Sequence, residues 1–124
     1  MQEMTPKRRY NEIIELLQCG SDGEAEQLCR QAVDDNGDVN FVALLGTILA
    51  RRDNLQEAES HLRRAVQIAP AYPKANEELG SVLLNRGKPE EAIPFLRKAT
   101  ELSPSSADCF FKLGGALKLA GDNG

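Results

Sequence analysis

Apolar residues recur along this chain at helical spacing. Val42, Leu45, Gly46 and Leu49 fall at i, i+3, i+4 and i+7, which is one face of an α-helix. Ala58, Leu62, Ala65 and Ile68 continue the same logic in a second run. The polar stretch Arg52-Asp53-Asn54 between them reads as a turn. Pro70 closes the second run, because proline lacks an amide hydrogen and clashes with the turn before it. The pattern predicts an antiparallel pair of helices.

That pair is then repeated. Gly46, Gly80 and Gly114 are 34 residues apart, inside the related words ALLGTIL, ELGSVLL and KLGGALK. Between residues 39–72 and 73–106, 10 of 34 positions are identical: Leu45, Gly46, Leu49, Arg52, Glu57, Ala58, Leu62, Arg63, Ala65 and Pro70 each find an equivalent. Duplication of one structural unit explains this better than chance. A glycine inside a helix costs on the order of 1 kcal/mol relative to alanine, so its return at one phase asks for a packing reason. Close helix approach supplies one, with Gly46 expected to meet Ala58 and Ala65 to seat the next hairpin.

The units resemble tetratricopeptide repeats. The family's pattern of a bulky residue, Leu-Gly and a bulky residue, followed by Ala, a bulky residue, Ala and Pro, is matched by Val42, Leu45, Gly46, Leu49, Ala58, Leu62, Ala65 and Pro70. It returns as Leu79, Gly80, Leu83, Ala92, Leu96, Ala99 and Pro104, with Asn76 in place of the first bulky residue, a departure that suggests a partly exposed end of the stripe. The resemblance implies an all-α fold, a right-handed superhelical stack of antiparallel hairpins with about seven helices. Its expected units are a degenerate first hairpin over 1–38, full repeats over 39–72 and 73–106, and a further first helix, truncated or capping, over 107–124.

The outer units depart from the pattern. In the first, Ile13 stands where the glycine belongs, beside Leu16 and Leu17, while Ala25, Cys29 and Ala32 mark the second helix. Gly37 replaces the terminating proline. Pro94, inside its helix, predicts a kink rather than a break. Gly121-Asp122-Asn123-Gly124 reads as the turn between paired helices, with no second helix after it. The sequence therefore reads either as capped by a last unpaired helix or as a piece of a longer protein, and the second is favoured. Phe110, Leu113 and Leu117 would form an open apolar edge, which predicts self-association.

Composition narrows the function. The chain has 124 residues, 41% hydrophobic and 27% charged, an ordinary globular balance. The net charge of −4 comes entirely from the front, where residues 1–38 carry 4 basic and 9 acidic side chains. With no sustained basic face, nucleic acid is a poor partner. The longest apolar stretch, Phe41 to Ala50, is broken by Gly46 and Thr47, too short for the roughly 20 residues of a membrane span. MQEMTPKRRY has no apolar segment behind it, so a secretory signal is unsupported and a cytoplasmic location is expected unless a leader was removed. Cys19, Cys29 and Cys109 match neither a disulfide framework nor a zinc spacing and read as reduced, mostly buried thiols.

Catalytic chemistry has little support in these residues. His61 has no cysteine or carboxylate constellation around it and reads as a surface histidine. Glu77-Glu78 and Glu90-Glu91 diverge by about 100° on a helix, so neither pair forms an acid/base couple. No enzyme activity, cofactor or metal is expected. The resemblance instead implies a groove lined by the first helix of each unit that receives a partner peptide or helix. Its candidate residues are Asn40, Leu44, Thr47 and Arg51, then Lys74, Glu77, Glu78, Ser81 and Asn85, then Asp108, Phe111 and Lys112. Polar stripes are commonly no more than solvated helix faces, so the set counts for more than any member.

One subclass of the family, the co-chaperones, captures the acidic C-terminus of heat-shock proteins with a Lys/Asn clamp. The corresponding phases here are Ala43, Thr47, Glu78, Asp108 and Lys112, or, one unit earlier, Tyr10, Ile14, Leu44, Lys74 and Glu78. Either set largely lacks the clamp. Two functions stand: a scaffold or adaptor that binds another protein, and an N-terminal arm of a larger enzyme such as a sulfotransferase or glycosyltransferase. Sequence beyond Gly124 distinguishes them, since further hairpins alone would end the enzyme-arm reading.

Overall fold

Local signals at the helix ends set the outline of the chain. Thr5 accepts a hydrogen bond from the Arg8 amide at 3.2 Å and Pro6 takes the first helical position, starting α1 (Pro6–Gln18). α2 (Asp22–Asn36) ends on Gly37 in the left-handed conformation. The Asp38 carboxylate accepts from the Asn40 amide at 2.8 Å and starts α3 (Val39–Arg51), followed by α4 (Leu55–Ile68). Pro73 opens α5 (Pro73–Asn85) and Pro89 opens α6 (Pro89–Leu102). α7 (Ala107–Asn123) completes the computed structural model, which describes residues 5–123. The described residues hold seven helices and no strand.

Each helix packs on the next in sequence, and α3 also meets α5, as α5 meets α7. The odd-numbered helices therefore line one side of the stack. The fold is the all-α solenoid that the 34-residue period implies, and α1 with α2 forms the loosely patterned first hairpin, Ile13, Ala25, Cys29 and Ala32 being fully buried.

The tightest constraint lies inside each hairpin. Val42, Leu45, Leu49, Ala58, Leu62 and Ala65 are buried as their spacing requires. Gly46, however, faces Leu62 rather than Ala58: a Cβ at Gly46 would lie 2.5 Å from the Leu62 Cγ. A Cβ at Gly80 would likewise lie 2.5 Å from the Leu96 Cγ. The glycine is thus a socket for a leucine knob, and the alanines pack around it.

Three other expectations change, whereas α6 runs through the exposed Pro94 without a break, as expected. Ile68, the last residue of α4, is 51% exposed; ten residues after Ala58, it lies about 80° off the buried stripe. Asn76 is 1% exposed, not the open end of a stripe. Its Nδ2 donates to the Pro70 carbonyl at 3.0 Å and adds a second bond to the Tyr72 carbonyl at 2.8 Å, which also accepts from the Asn76 backbone amide, so the buried amide is satisfied within the turn. His61 is half-buried, its Nε2 3.6 Å from Glu57.

The last helix differs most. Gly20 (φ 83°), Asp53 (φ 63°) and Gly87 (φ 75°) adopt the left-handed conformation at equivalent turns between paired helices. Gly121 falls at the next such position, yet α7 continues through it to Asn123, so no turn forms there. Gly124 lies outside the described residues. Cys109 and Ala116 are the buried residues of α7. Leu113 is half-buried, and Phe110 and Leu117 are exposed, because their equivalents in α3 and α5 pack on a following helix. A Cβ at Gly114 would meet nothing within 4 Å.

The two glycine environments give opposite outcomes. Gly46→Val should lower stability by about 1–3 kcal/mol through overpacking. Gly114→Ala should leave it unchanged or raise it by up to about 1 kcal/mol through helix propensity. Urea unfolding of the two variants checks both.

Candidate functional site

Two recesses open along the odd-numbered side. The more enclosed one, about 260 Å³, lies where α1, α3 and the start of α5 converge. Tyr10, Ile14 and Leu17 come from α1, Ala43 and Leu44 from α3, and Tyr72 from the residue before α5. Gln18, Thr47, Arg51 and Lys74 complete its lining. Leu44 is a buried wall, 7% exposed, and the Thr47 hydroxyl is turned back to donate to the Ala43 carbonyl at 3.2 Å. An adjoining cleft of about 440 Å³ is bordered by Pro6, Lys7, Tyr10, Asp38, Asn40 and Phe41. The rings of Tyr10 and Phe41 lie 6.0 Å apart between the two.

Three cations on this side are paired. Arg51 reaches Asp22 at 3.4 Å and Lys74 reaches Glu78 at 3.3 Å. Partial burial alone would lower the Lys74 ammonium, but Glu78 outweighs it and holds the pKa above the ordinary lysine value. Burial raises the Tyr72 phenol, aided by Tyr10, so it stays a neutral hydroxyl. Lys112 on α7 pairs with Glu77 on α5 at 3.0 Å, and the Ser81 hydroxyl donates to the Glu77 carbonyl at 3.1 Å.

The candidate residues therefore divide. Leu44, Thr47, Arg51 and Lys74 meet in one recess, and Asn40 borders the next. Glu77 and Lys112 form a pair farther along, with Glu78 and Ser81 beside it. Asn85, Asp108 and Phe111 are exposed and belong to neither recess. Sequence reasoning left Tyr72 out and weighed Tyr10 and Ile14 only as clamp positions. The available signal was the helical phase of α1, which places both on the same side as Leu44.

A periodic ion-pair ladder on the even-numbered helices went unread. Arg30 of α2 holds Glu26 at 3.0 Å and Glu57 of α4 at 2.8 Å. One unit later Arg63 of α4 holds Glu59 at 2.9 Å and Glu91 of α6 at 3.2 Å. Arg52 and Arg86, at equivalent turns, reach back to Glu26 at 3.1 Å and Glu59 at 2.7 Å. Elsewhere, burial pushes the Cys29 thiol up to about 12, which makes it inert as a nucleophile. Its Sγ donates to the Phe41 carbonyl at 3.3 Å. Cys109 is also buried and Cys19 is exposed. Among the described residues no cluster of His, Cys, Asp or Glu is arranged to hold a metal ion. Among the same residues no helix is long and apolar enough to cross a membrane.

Two family models described as tetratricopeptide repeat match the chain, one over residues 23–73 and the other over 49–109. The chain belongs to the tetratricopeptide repeat family. A search of curated proteins finds no match. Solved structures of other tetratricopeptide domains share the fold. The first such domain of Spaghetti (RPAP3), bound to the HSP90 peptide SRMEEVD, aligns with TM-score 0.86 at 19% identity over 91% of this chain and 90% of that one. The second domain of human RPAP3, in complex with the HSP70 peptide SGPTIEEVD, gives 0.80 at 17% identity, over 87% and 91%. MamA from Desulfovibrio magneticus RS-1, from residue 41 to its end, gives 0.83 at 23% identity, over 95% and 68%.

The ladder makes the repeat stack sensitive to acid. Burial alone would raise the Glu59 carboxyl, but hydrogen bonds from Arg63 and Arg86, with the charges of Arg63 and Lys88, hold it below its ordinary 4.5. A depressed folded-state value means the contribution is complete above the unfolded value and is lost as pH falls through the folded one. Stability should therefore drop as pH falls below 4.5. Glu59→Gln should cost about 1–3 kcal/mol at neutral pH and flatten that acid limb, measured by urea unfolding across pH.

Proposed function

We propose that this chain is a scaffold or adaptor module that binds a partner peptide or helix along the side formed by α1, α3, α5 and α7. The observation that carries the reading is the enclosed recess, walled by three odd-numbered helices and lined chiefly by apolar and aromatic side chains. Sites of that character are where proteins receive ligands. Tetratricopeptide domains of the same fold hold peptides in the RPAP3 complexes, which supports a peptide as the class of partner. The proposed units are 1–38, 39–72, 73–106 and 107–124, each contributing its first helix to the binding side.

Affinity capture from cell extract tests the reading. Arg51→Glu, Lys74→Glu and Lys112→Glu together reverse three charges along that side without touching the buried stripe. Partners retained by the native chain should be lost by the triple variant, whose helical circular dichroism should be unchanged. Unchanged capture places binding elsewhere.

A second contact surface is favoured by α7, where Phe110 and Leu117, seven residues apart on one helix face, are 50% and 41% exposed. An apolar patch of that kind marks an interaction surface on a soluble domain. Light scattering should show concentration-dependent association that Phe110→Ser with Leu117→Ser abolishes. A strict monomer at high concentration removes this edge from the account.

A further inference from the structure

The recess between α1, α3 and α5 joins a wall of apolar and aromatic side chains to two cations. Its volume of about 260 Å³ falls below the roughly 300–1,000 Å³ of small-molecule pockets, so its natural content is one side chain. Tyr10, Ile14 and Leu44 form apolar walls with Tyr72. The nearby Thr47 hydroxyl is committed to the Ala43 carbonyl. The donors around these walls are the tyrosine hydroxyls, Gln18 and the half-exposed Arg51 and Lys74, which already hold Asp22 and Glu78, so a carboxylate is met at the border of the recess and not among its apolar walls. The charged residues that line the recess, Arg51 and Lys74, are both cations.

We propose that the recess takes a single Leu-, Met- or Phe-sized side chain from an internal, extended segment of the partner, with an acidic neighbour of that residue meeting Lys74 or Arg51. The inference rests on the groove reading above and adds the chemistry of the partner. Apolar burial against Tyr10, Ile14, Leu44 and Tyr72 supplies the affinity. The acidic neighbour displaces Glu78 from Lys74 or Asp22 from Arg51, exchanging one exposed ion pair for another. Because Glu78 and Asp22 are the more buried partners of these pairs, the exchange adds no net affinity and sets the orientation of the peptide.

The test uses the full chain, 15N-labelled, and acetylated, amidated Gly/Ser peptides carrying a central Asp-Leu-Asp, Asp-Ala-Asp or Lys-Leu-Lys. A fourth peptide ends in Asp-Leu-Asp with a free carboxylate. Saturable amide shifts around Tyr10, Leu44 and Tyr72 are expected with the internal Asp-Leu-Asp peptide. Replacing its leucine by alanine should weaken binding about tenfold, and the lysine-flanked peptide should bind more weakly. Ile14→Glu and, as a recess-filling variant, Thr47→Phe should each abolish the shifts while retaining native helicity. Equal binding of the leucine and alanine peptides, or tighter binding of the free-carboxylate peptide, overturns the inference. Shifts confined to α5 and α7 overturn it and leave the groove reading intact. If no peptide produces shifts while the charge-reversal triple variant still loses its captured partners, this inference alone falls. If capture too is unchanged, both fall.

Discussion

The structure depends on how closely two helices of a hairpin can approach. Leu62 seats on Gly46 and Leu96 on Gly80, with 2.5 Å between the leucine Cγ and the place a Cβ would occupy. Closeness of that order is available only where one helix presents no side chain, so the glycine fixes both spacing and phase of the pair. With the phase fixed, the alanines Ala58, Ala65, Ala92 and Ala99 are fully buried, and the remaining face of each odd-numbered helix turns toward the recesses. The binding side is thus a geometric consequence of the socket.

Two different interactions then hold neighbouring units in register. The core is continuous from Ile13 to Ala116 through apolar contact, which is strong but tolerant of sliding. The ion-pair ladder is weaker and more directional. Most of its members are partly exposed, which limits each pair to about 1 kcal/mol or less, but Glu59 is buried and accepts from Arg63 and Arg86 together. Its charge is held by groups from α4 and from the turn after α5, so a shift of one unit against the next would leave a buried carboxylate without its partners. Ile93 occupies the equivalent position in the next unit, and no pair like Arg63–Glu59 forms there.

What the sequence revealed followed from periodicity. Gly46, Leu49, Ala58, Leu62 and Ala65 recur at a fixed phase, and phase determines burial in a helix, so the hairpins and their buried stripe were readable. The errors occurred where a residue type carries two meanings. Asn76 suggested exposure because asparagine is polar, yet its amide finds two loop carbonyls that only the folded turn brings within 3.0 Å. Gly121 sits at the turn phase, but glycine permits a left-handed turn without requiring one, and α7 continues. Gly46 was expected to meet Ala58 and instead seats Leu62, because sequence spacing alone cannot say which residue of the second helix meets the glycine.

The recess was partly legible for a related reason. Leu44, Thr47, Arg51 and Lys74 came from tracking one stripe along the first helices, and they do meet. Tyr72 could not come from that procedure, because it precedes α5 and has no helical phase to follow. It is nevertheless the residue that closes the recess between units, packing against the same core as Tyr10 and Ile14. The side chains of a solenoid's regular helices set the shape of its groove, whereas the loops between units decide which parts of that groove become enclosed. In this chain the enclosing residue is an aromatic ring whose hydroxyl stays protonated, so the enclosed part is suited to apolar contact while the charges of Arg51 and Lys74 stand at its border.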